Sequence, residues 1–254
     1  MSTPETPTSP SRILILGAGS AMAQAYARRR AATGAAFLLV GQNAARLSAI
    51  ADDLRAGGAR AADVATLDLA DLAGIEAGAA ELRRRLGEPD EVLIAYGGLG
   101  DQATSERDLA AARNALEVNF VSVALWILAL LKDRPAAAPL ALITIGSVAG
   151  DRGRASNFVY GAAKGGLDRF LEGLAHAYAG TPVRVLTVKP GFVDTPMTDA
   201  IAKGPLFASP DAVGADIVRA VEKGRRTVYT PWFWWPIMTI IRHLPWFVFK
   251  RLKI

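Results

Sequence analysis

Cysteine is absent, which removes both a disulfide framework and a thiolate metal site, and two histidines, His176 and His243, are too few for a metal cluster. Chemistry in this chain must come from other groups. Long apolar runs are missing too. The longest uncharged stretches, Val118 to Leu131 and Thr227 to Ile241, fall short of the roughly 18 residues of a membrane-spanning helix. Residues 1–11 (MSTPETPTSPS) have neither the basic start nor the apolar stretch of a signal peptide, so a disordered lead and a cytoplasmic protein are expected. Acid is absent from the other end. Residues 223–254 hold seven of the 29 Lys and Arg and no Asp or Glu, leaving 22 basic against 24 acidic residues before them. A nucleic-acid binder spreads cations over a face of its folded body, so no nucleic-acid partner is expected.

What is present is an ordinary globular composition: 254 residues, 51% hydrophobic and 21% charged, enough for one sizeable core. Apolar runs of strand length, Arg12 to Leu16, Ala36 to Val40, Ala62 to Leu67, Glu91 to Ala95, Leu140 to Ile145, Val183 to Val188 and Thr227 to Tyr229, alternate with helical segments. Those segments are Ala21 to Thr33, Asn43 to Gly57, Asp71 to Leu86, Arg107 to Leu131, Phe158 to Ala179 and Pro210 to Lys223. Strands this apolar need cover on both faces. The expected fold is therefore α/β, a single doubly wound domain over 12–230 with a central parallel sheet of about seven strands, followed by an amphipathic extension, 231–254.

The first strand runs into Gly17-Ala18-Gly19-Ser20-Ala21-Met22-Ala23 and then a helix, an arrangement whose backbone amides suit a dinucleotide pyrophosphate but also serve plain tight packing. After the second strand, Gln42 can bond a ribose and Arg46 can neutralise a 2′-phosphate, so the choice between NADH and NADPH stays open. The strand ending at Ile145 leads to Ser147. Thirteen residues later comes Tyr160, with Lys164 one helical turn beyond, on the same face. Asn119 lies on the helix before. A free phenol has a pKa of about 10, and the Lys164 ammonium is expected to lower that of Tyr160.

With these motifs the chain resembles the short-chain dehydrogenase/reductase family over nearly its whole length. The resemblance is carried by Gly17 to Ala23, Asp68, Asn119, Ser147, Tyr160-Gly161-Ala162-Ala163-Lys164 and Pro190-Gly191-Phe192-Val193-Asp194-Thr195. It implies a Rossmann fold, NAD(P)H as cofactor, a homo-oligomer, and Asn119, Ser147, Tyr160 and Lys164 as the catalytic set. By the same resemblance, Gly17, Gly19, Ser20 and Met22 hold the pyrophosphate side, and Gln42, Asp68, Leu69, Ala95 and Gly97 the adenosine side. Tyr160, Lys164, Pro190, Val193 and Thr195 would meet the nicotinamide half, and Asn119 a water linked to Lys164. Two departures stand out: Ala21 and Ala23 replace the family's second and third glycines, and Ala95-Tyr96-Gly97-Gly98 replaces its Asn-Asn-Ala-Gly.

The tail carries Trp232, Phe233, Trp234, Trp235, Trp246, Phe247 and Phe249 beside Arg242, Lys250, Arg251 and Lys253. Aromatic rings next to cations suit a membrane interface, and four cations at about 1 kcal/mol each add roughly 4 kcal/mol. Packing on the domain or on another subunit is the alternative. Pro236 is expected to open a helix with Ile237, Ile240, Ile241 and Leu244 on one face, and Pro245 to end it. Residues 95–101, 157–161, 164–168 and 242–254 are similar to the decaprenylphosphoryl-2-keto-pentose reductases. That similarity implies a lipid-linked ketosugar substrate, a flavin-dependent oxidase acting before it, and peripheral contact with the inner membrane face.

Overall fold

The structure, a computed structural model, describes residues 11–199 and 202–252. Most of the expected lead, 1–10, lies outside them, as do Lys253 and Ile254. Seven strands form one parallel sheet: β1 (Arg12–Leu16), β2 (Ala36–Gly41), β3 (Ala61–Thr66), β4 (Glu91–Ile94), β5 (Leu140–Ile145), β6 (Val183–Pro190) and, at the far edge, a strand at Thr227–Thr230. Side chains alternate across each strand, so Ile13, Ile15, Phe37 and Leu39 enter one core while Leu14, Leu16, Leu38 and Val40 enter the other. Both cores are apolar. Helices α1 (Ala21–Ala31) and α2 (Ala44–Ala56) cover one face, and α3 (Ile75–Leu86) packs against the other.

The expected long helix 107–131 is broken into pieces. A short α4 (Gln102–Arg107), capped by Asp101, precedes α5 (Leu109–Leu116), which runs through a wide π turn (Glu117–Val121) into α6 (Ser122–Leu131). Such π turns often sit at functional positions, and this one holds Asn119. Together 109–131 are apolar and long enough to cross a membrane, yet Val123, Trp126, Ile127 and Leu130 are spent on the core.

The remaining elements are α7 (Phe158–Ala177), a small pair β7 (Phe192–Val193) and β8 (Phe207–Ala208), α8 (Pro210–Glu222), the edge strand β9 (Thr227–Thr230), α9 (Trp234–His243) and α10 (Trp246–Phe249). The sheet order is β3-β2-β1-β4-β5-β6-β9. Chain order reverses between β1 and β4, and the carboxyl ends of those strands open a crevice, the usual ligand position in such sheets.

The tail helix differs from its expected face. It begins at Trp234, with Pro236 tolerated in the first turn, and the stripe turned inward is Trp234, Ile237, Met238 and Ile241. Ile240 points outward because Trp234 and Met238, at i and i+4, own the inner face. Pro245 ends the helix as expected.

Candidate active site

A cleft of about 710 Å³ opens where β1 and β4 diverge, and every residue expected to hold substrate or cofactor lines it. At its centre Gly17 adopts a positive φ of 87°, and a side chain there would strike the Tyr96 backbone at 2.7 Å. Only glycine lets the two strand ends approach so closely. Ser20 precedes α1 without making a side-chain cap, its own amide donating to the Gly17 carbonyl at 3.0 Å, and α1's first turn carries no acid, so the leading amides of Ala21 and Met22 are left for an anion. Ala23 is buried in the core under the turn.

At one end Gln42 donates to Asp68 Oδ1 at 2.8 Å, and the amide of Ala70 shares that oxygen at 2.9 Å. Leu69 is buried behind them, its carbonyl taken by Trp126 Nε1 at 3.0 Å. Arg46, on the first turn of α2 beyond the Asn43 cap, reaches back to the Gly19 carbonyl at 2.7 Å. A cation and the hydrogen-bonded pair Gln42–Asp68 therefore line the same opening.

At the other end Ser147 follows β5 and takes the Ala149 amide at 3.0 Å, while Tyr160 and Lys164 descend from α7. Lys164 is 3% exposed and donates to the Ile145 carbonyl at 3.1 Å. Burial lowers its pKa to about 8, with Asp168 acting in the opposite direction. Tyr160 does not behave as expected. Burial raises its phenol above the usual value, outweighing the Ser147 hydrogen bond and the Arg154 charge that lower it, and Asp168 adds to the rise. Lys164 Nζ lies 5.9 Å from the ring centre, and its charge does not overcome that desolvation. In the protein alone Tyr160 is a neutral phenol, a proton donor.

Asn119 is buried, and its side chain makes three hydrogen bonds: Nδ2 donates to the carbonyls of Gly98 at 2.8 Å and Ala115 at 2.9 Å, while Oδ1 accepts the Gly98 amide at 3.1 Å. It therefore pins the segment that departs from the family's pattern. Gly97 has a φ of 144°, and a Cβ there would come within 2.6 Å of Asn119 Oδ1. Tyr96 turns away from this wall to share a hydrogen bond with Ser122 at 3.0 Å.

The end of β6 and the segment that follows close the cleft with Pro190, Val193 and Thr195, braced by Thr198, whose hydroxyl donates to the Val193 carbonyl at 2.6 Å. The same loop seats the tail. A Cβ on Gly191 would overlap the Trp234 indole, 1.8 Å from Nε1, and Phe192 meets that ring edge-on at 5.5 Å. Arg152, five residues after Ser147, donates to the α9 end carbonyls Ile241 and Leu244 and stacks on Phe249 at 3.7 Å.

A dinucleotide fits these walls: open amides for its phosphates, Gln42 and Asp68 for a ribose, small residues at Gly17, Ala95 and Gly97 for close approach. Sequence reasoning missed Asn114, Val118 and Met197, which also line the cleft. Their signal was absent because an apolar helix face and a loop methionine look alike whether or not they border a site.

A family model for short chain dehydrogenase matches residues 11–205. An uncharacterized oxidoreductase of Mycobacterium tuberculosis is 39% identical over 240 residues, covering 94% of this chain and 96% of the relative. The 3-oxoacyl-[acyl-carrier-protein] reductase of Escherichia coli is 31% identical over 84% of this chain and 82% of its own. A short chain dehydrogenase/reductase from Burkholderia phymatum, solved in complex with NAD, superposes with a TM-score of 0.79 at 20% identity, covering 91% of this chain and 92% of that one. With the cleft, the ordered motifs and these matches together, the chain belongs to the short chain dehydrogenases, NAD(P)-dependent oxidoreductases.

Proposed function

We propose that the cleft reduces a ketone to a secondary alcohol with NAD(P)H, and that the ketone is the 2′-keto group of a polyprenylphosphoryl pentose, which becomes the arabinose epimer. The observation that carries the reading is the seat of the tail. Trp234 rests on Gly191, in the loop that closes the cleft, while Trp232, Trp235, Trp246 and Phe247 face outward, 61–76% exposed. A ketone borne on a lipid would enter beside a membrane-seeking surface. Residues 12–230 are then the catalytic domain and 231–254 its membrane-facing tail. The ketone has to be made by oxidation of a sugar alcohol, the work of a flavin-dependent oxidase.

A reduced dinucleotide bound in the cleft would supply the hydride for the carbonyl carbon. Tyr160, held as a neutral phenol by burial, gives the proton to the carbonyl oxygen, and Ser147 donates a hydrogen bond to that oxygen as charge grows on it. Lys164 keeps a positive charge beneath the phenol below pH 8 and so stabilises the phenolate that remains. Asn119 holds the Gly97–Gly98 wall in place. Arg46, beside the ribose-bonding pair, favours NADPH over NADH.

A second groove, of about 650 Å³, supports membrane contact: Arg219, Lys223, Arg225 and Arg242 line it together with Trp232 and Trp235. Its acid, Asp216, is occupied by Arg219 and by the Thr230 hydroxyl. Leu109, Leu116, Leu125 and Leu128 are exposed along α5 and α6, and this row is the proposed contact for a second copy of the chain. Sedimentation equilibrium of Leu125→Glu, expected to lower the assembly state, tests it.

A 3-oxoacyl chain is the alternative substrate, favoured by the likeness to the Escherichia coli reductase. Incubation of the enzyme with the flavin oxidase product or with a 3-oxoacyl thioester, each with NADH and with NADPH, separates the readings. Arabinose product and NADPH consumption are expected. Turnover of the thioester alone would replace the sugar with the acyl ketone.

A further inference from the structure

Beneath the catalytic face of α7 lies a group of buried charges that hydride transfer does not use. Asp168 stands one helical turn beyond Lys164, with its side chain 5% exposed. Lys189, the last residue of β6 before Pro190, places Nζ 2.8 Å from the Asp168 carboxylate and 2.5 Å from that of Asp151, whose side chain is 2% exposed. Tyr229 on β9 donates to the second oxygen of Asp151 at 2.8 Å. Two ammonium groups and two carboxylates are thus buried in one region.

The backbone is cut away to admit Asp168. A Cβ on Gly150 would lie 2.7 Å from one carboxylate oxygen, and a Cβ on Gly146, next to Ser147, 3.2 Å from the other. These two glycines flank Ser147 at the end of β5. Apart from the off-axis approach of Lys189, neither oxygen of Asp168 has a hydrogen-bond donor among the described residues, so its interactions there are chiefly those of charge with charge. A lone carboxylate here would carry a large desolvation cost, and so would a lone lysine.

We propose that Asp168 is a positioning residue for the catalytic lysine: together with Lys189 and Asp151 it completes an electrically neutral quartet that keeps Lys164 as an ammonium under Tyr160. This rests on the reading that Lys164 serves ketone reduction, but the charge balance is a property of the protein by itself. The groups facing Asp168 are Lys164 and, beyond it, Tyr160 from its own helix, Lys189 from β6 and Asp151 from the turn after β5. Behind Asp151 stand Tyr229 and Arg154, and beyond Tyr229, Arg242. Loss of Asp168 leaves an excess positive charge, which expels the Lys164 proton. Loss of Lys189 leaves an excess negative charge, which retains it.

The test is a pH titration of the full chain carrying lysine labelled with carbon-13 at Cε. The chain has seven lysines, and the Lys164 resonance is assigned by its loss in Lys164→Arg. In Asp168→Asn the Lys164 midpoint is expected to fall by about 0.5 pH unit or more from its wild-type position near 8. In Lys189→Met it is expected to rise, and in the double variant to return toward wild type. Opposite signs from two buried substitutions are not produced by general loosening of the fold. An unmoved Lys164 midpoint in either folded single variant, or a shift of the same sign in both, overturns the proposal. Because the reading needs no substrate, it survives or fails separately from the ketone assignment. Should Asp168→Asn not fold, Asp151→Asn takes its place: it also leaves an excess positive charge, so the Lys164 midpoint is expected to fall, and a rise or no movement overturns the proposal.

Discussion

Two regions of the molecule are built by the same two segments and use their charges in opposite ways. The turn after β5 gives Ser147 to the cleft and Arg152 to the tail, and the end of β6 with the residues after it gives Pro190 and Val193 to the cleft and Gly191 to Trp234. Around the cleft, Lys164 and Lys189 are buried, Lys189 paired with two carboxylates and Lys164 one helical turn from one of them, so the protonation of each depends on its neighbours. In the tail, Arg242, Lys250 and Arg251 stand exposed beside tryptophans, where water screens them until a second surface arrives. The same residue types serve proton chemistry where water is excluded and attachment where it is not.

The comparison breaks first at Tyr160. Tyr160→Phe removes the proton donor and is expected to lower the rate of ketone reduction by about 10² to 10⁴, with dinucleotide affinity, read by fluorescence quenching, little changed. Equal loss of binding and rate would make Tyr160 part of the cleft wall rather than its acid. Next comes the tail's outer surface. Trp232, Trp235, Trp246 and Phe247 changed together to Ser should abolish co-sedimentation with vesicles containing anionic phospholipid while a soluble ketone is still reduced. Truncation after Thr230 is the poorer experiment, because it uncovers the surface that Trp234 and Met238 bury.

Gly191→Ala sharpens the shared boundary. Its methyl group must displace the Trp234 indole, so the tryptophan emission should move to the red and the tail become sensitive to protease; the expected cost in stability is about 1–3 kcal/mol by urea unfolding. A milder effect belongs to pH. The Lys164 ammonium is present below about 8 and lost above it, so reduction measured at saturating cofactor should hold steady toward neutrality and fall as pH climbs through that value. The smallest change is expected from Arg46→Ala, with the KM for NADPH raised by about tenfold and that for NADH nearly unmoved, as for one charge-assisted contact. Equal effects on both cofactors would assign Arg46 to bracing the Gly19 turn.

Most of the fold was legible because each strand is a nearly continuous apolar run and each helix an amphipathic one, and strands apolar on both faces admit few arrangements. The residues expected at the site were picked out by their order along the chain, and in the structure they line one cleft, whose ligand contacts remain a proposal. The π turn at Asn119 was not, since nothing in an apolar helical stretch announces one extra residue per turn. Nor was the inward face of α9: with apolar side chains at most positions from Trp234 to Ile241, periodicity alone does not choose between Met238 and Ile240.

By itself the amino-acid order determined the layered architecture, the glycine turn, and the placing of Tyr160 and Lys164 on one helical face, because these follow from local spacing and backbone sterics. Only the tertiary structure decided the direction of the Tyr160 pKa, the enclosure of Asp168 between Gly146 and Gly150, and the seating of Trp234 on Gly191. Those depend on burial and on contacts between residues far apart in the chain. Desolvation and charge act through space, and no pattern along the chain encodes which groups will share a dry pocket.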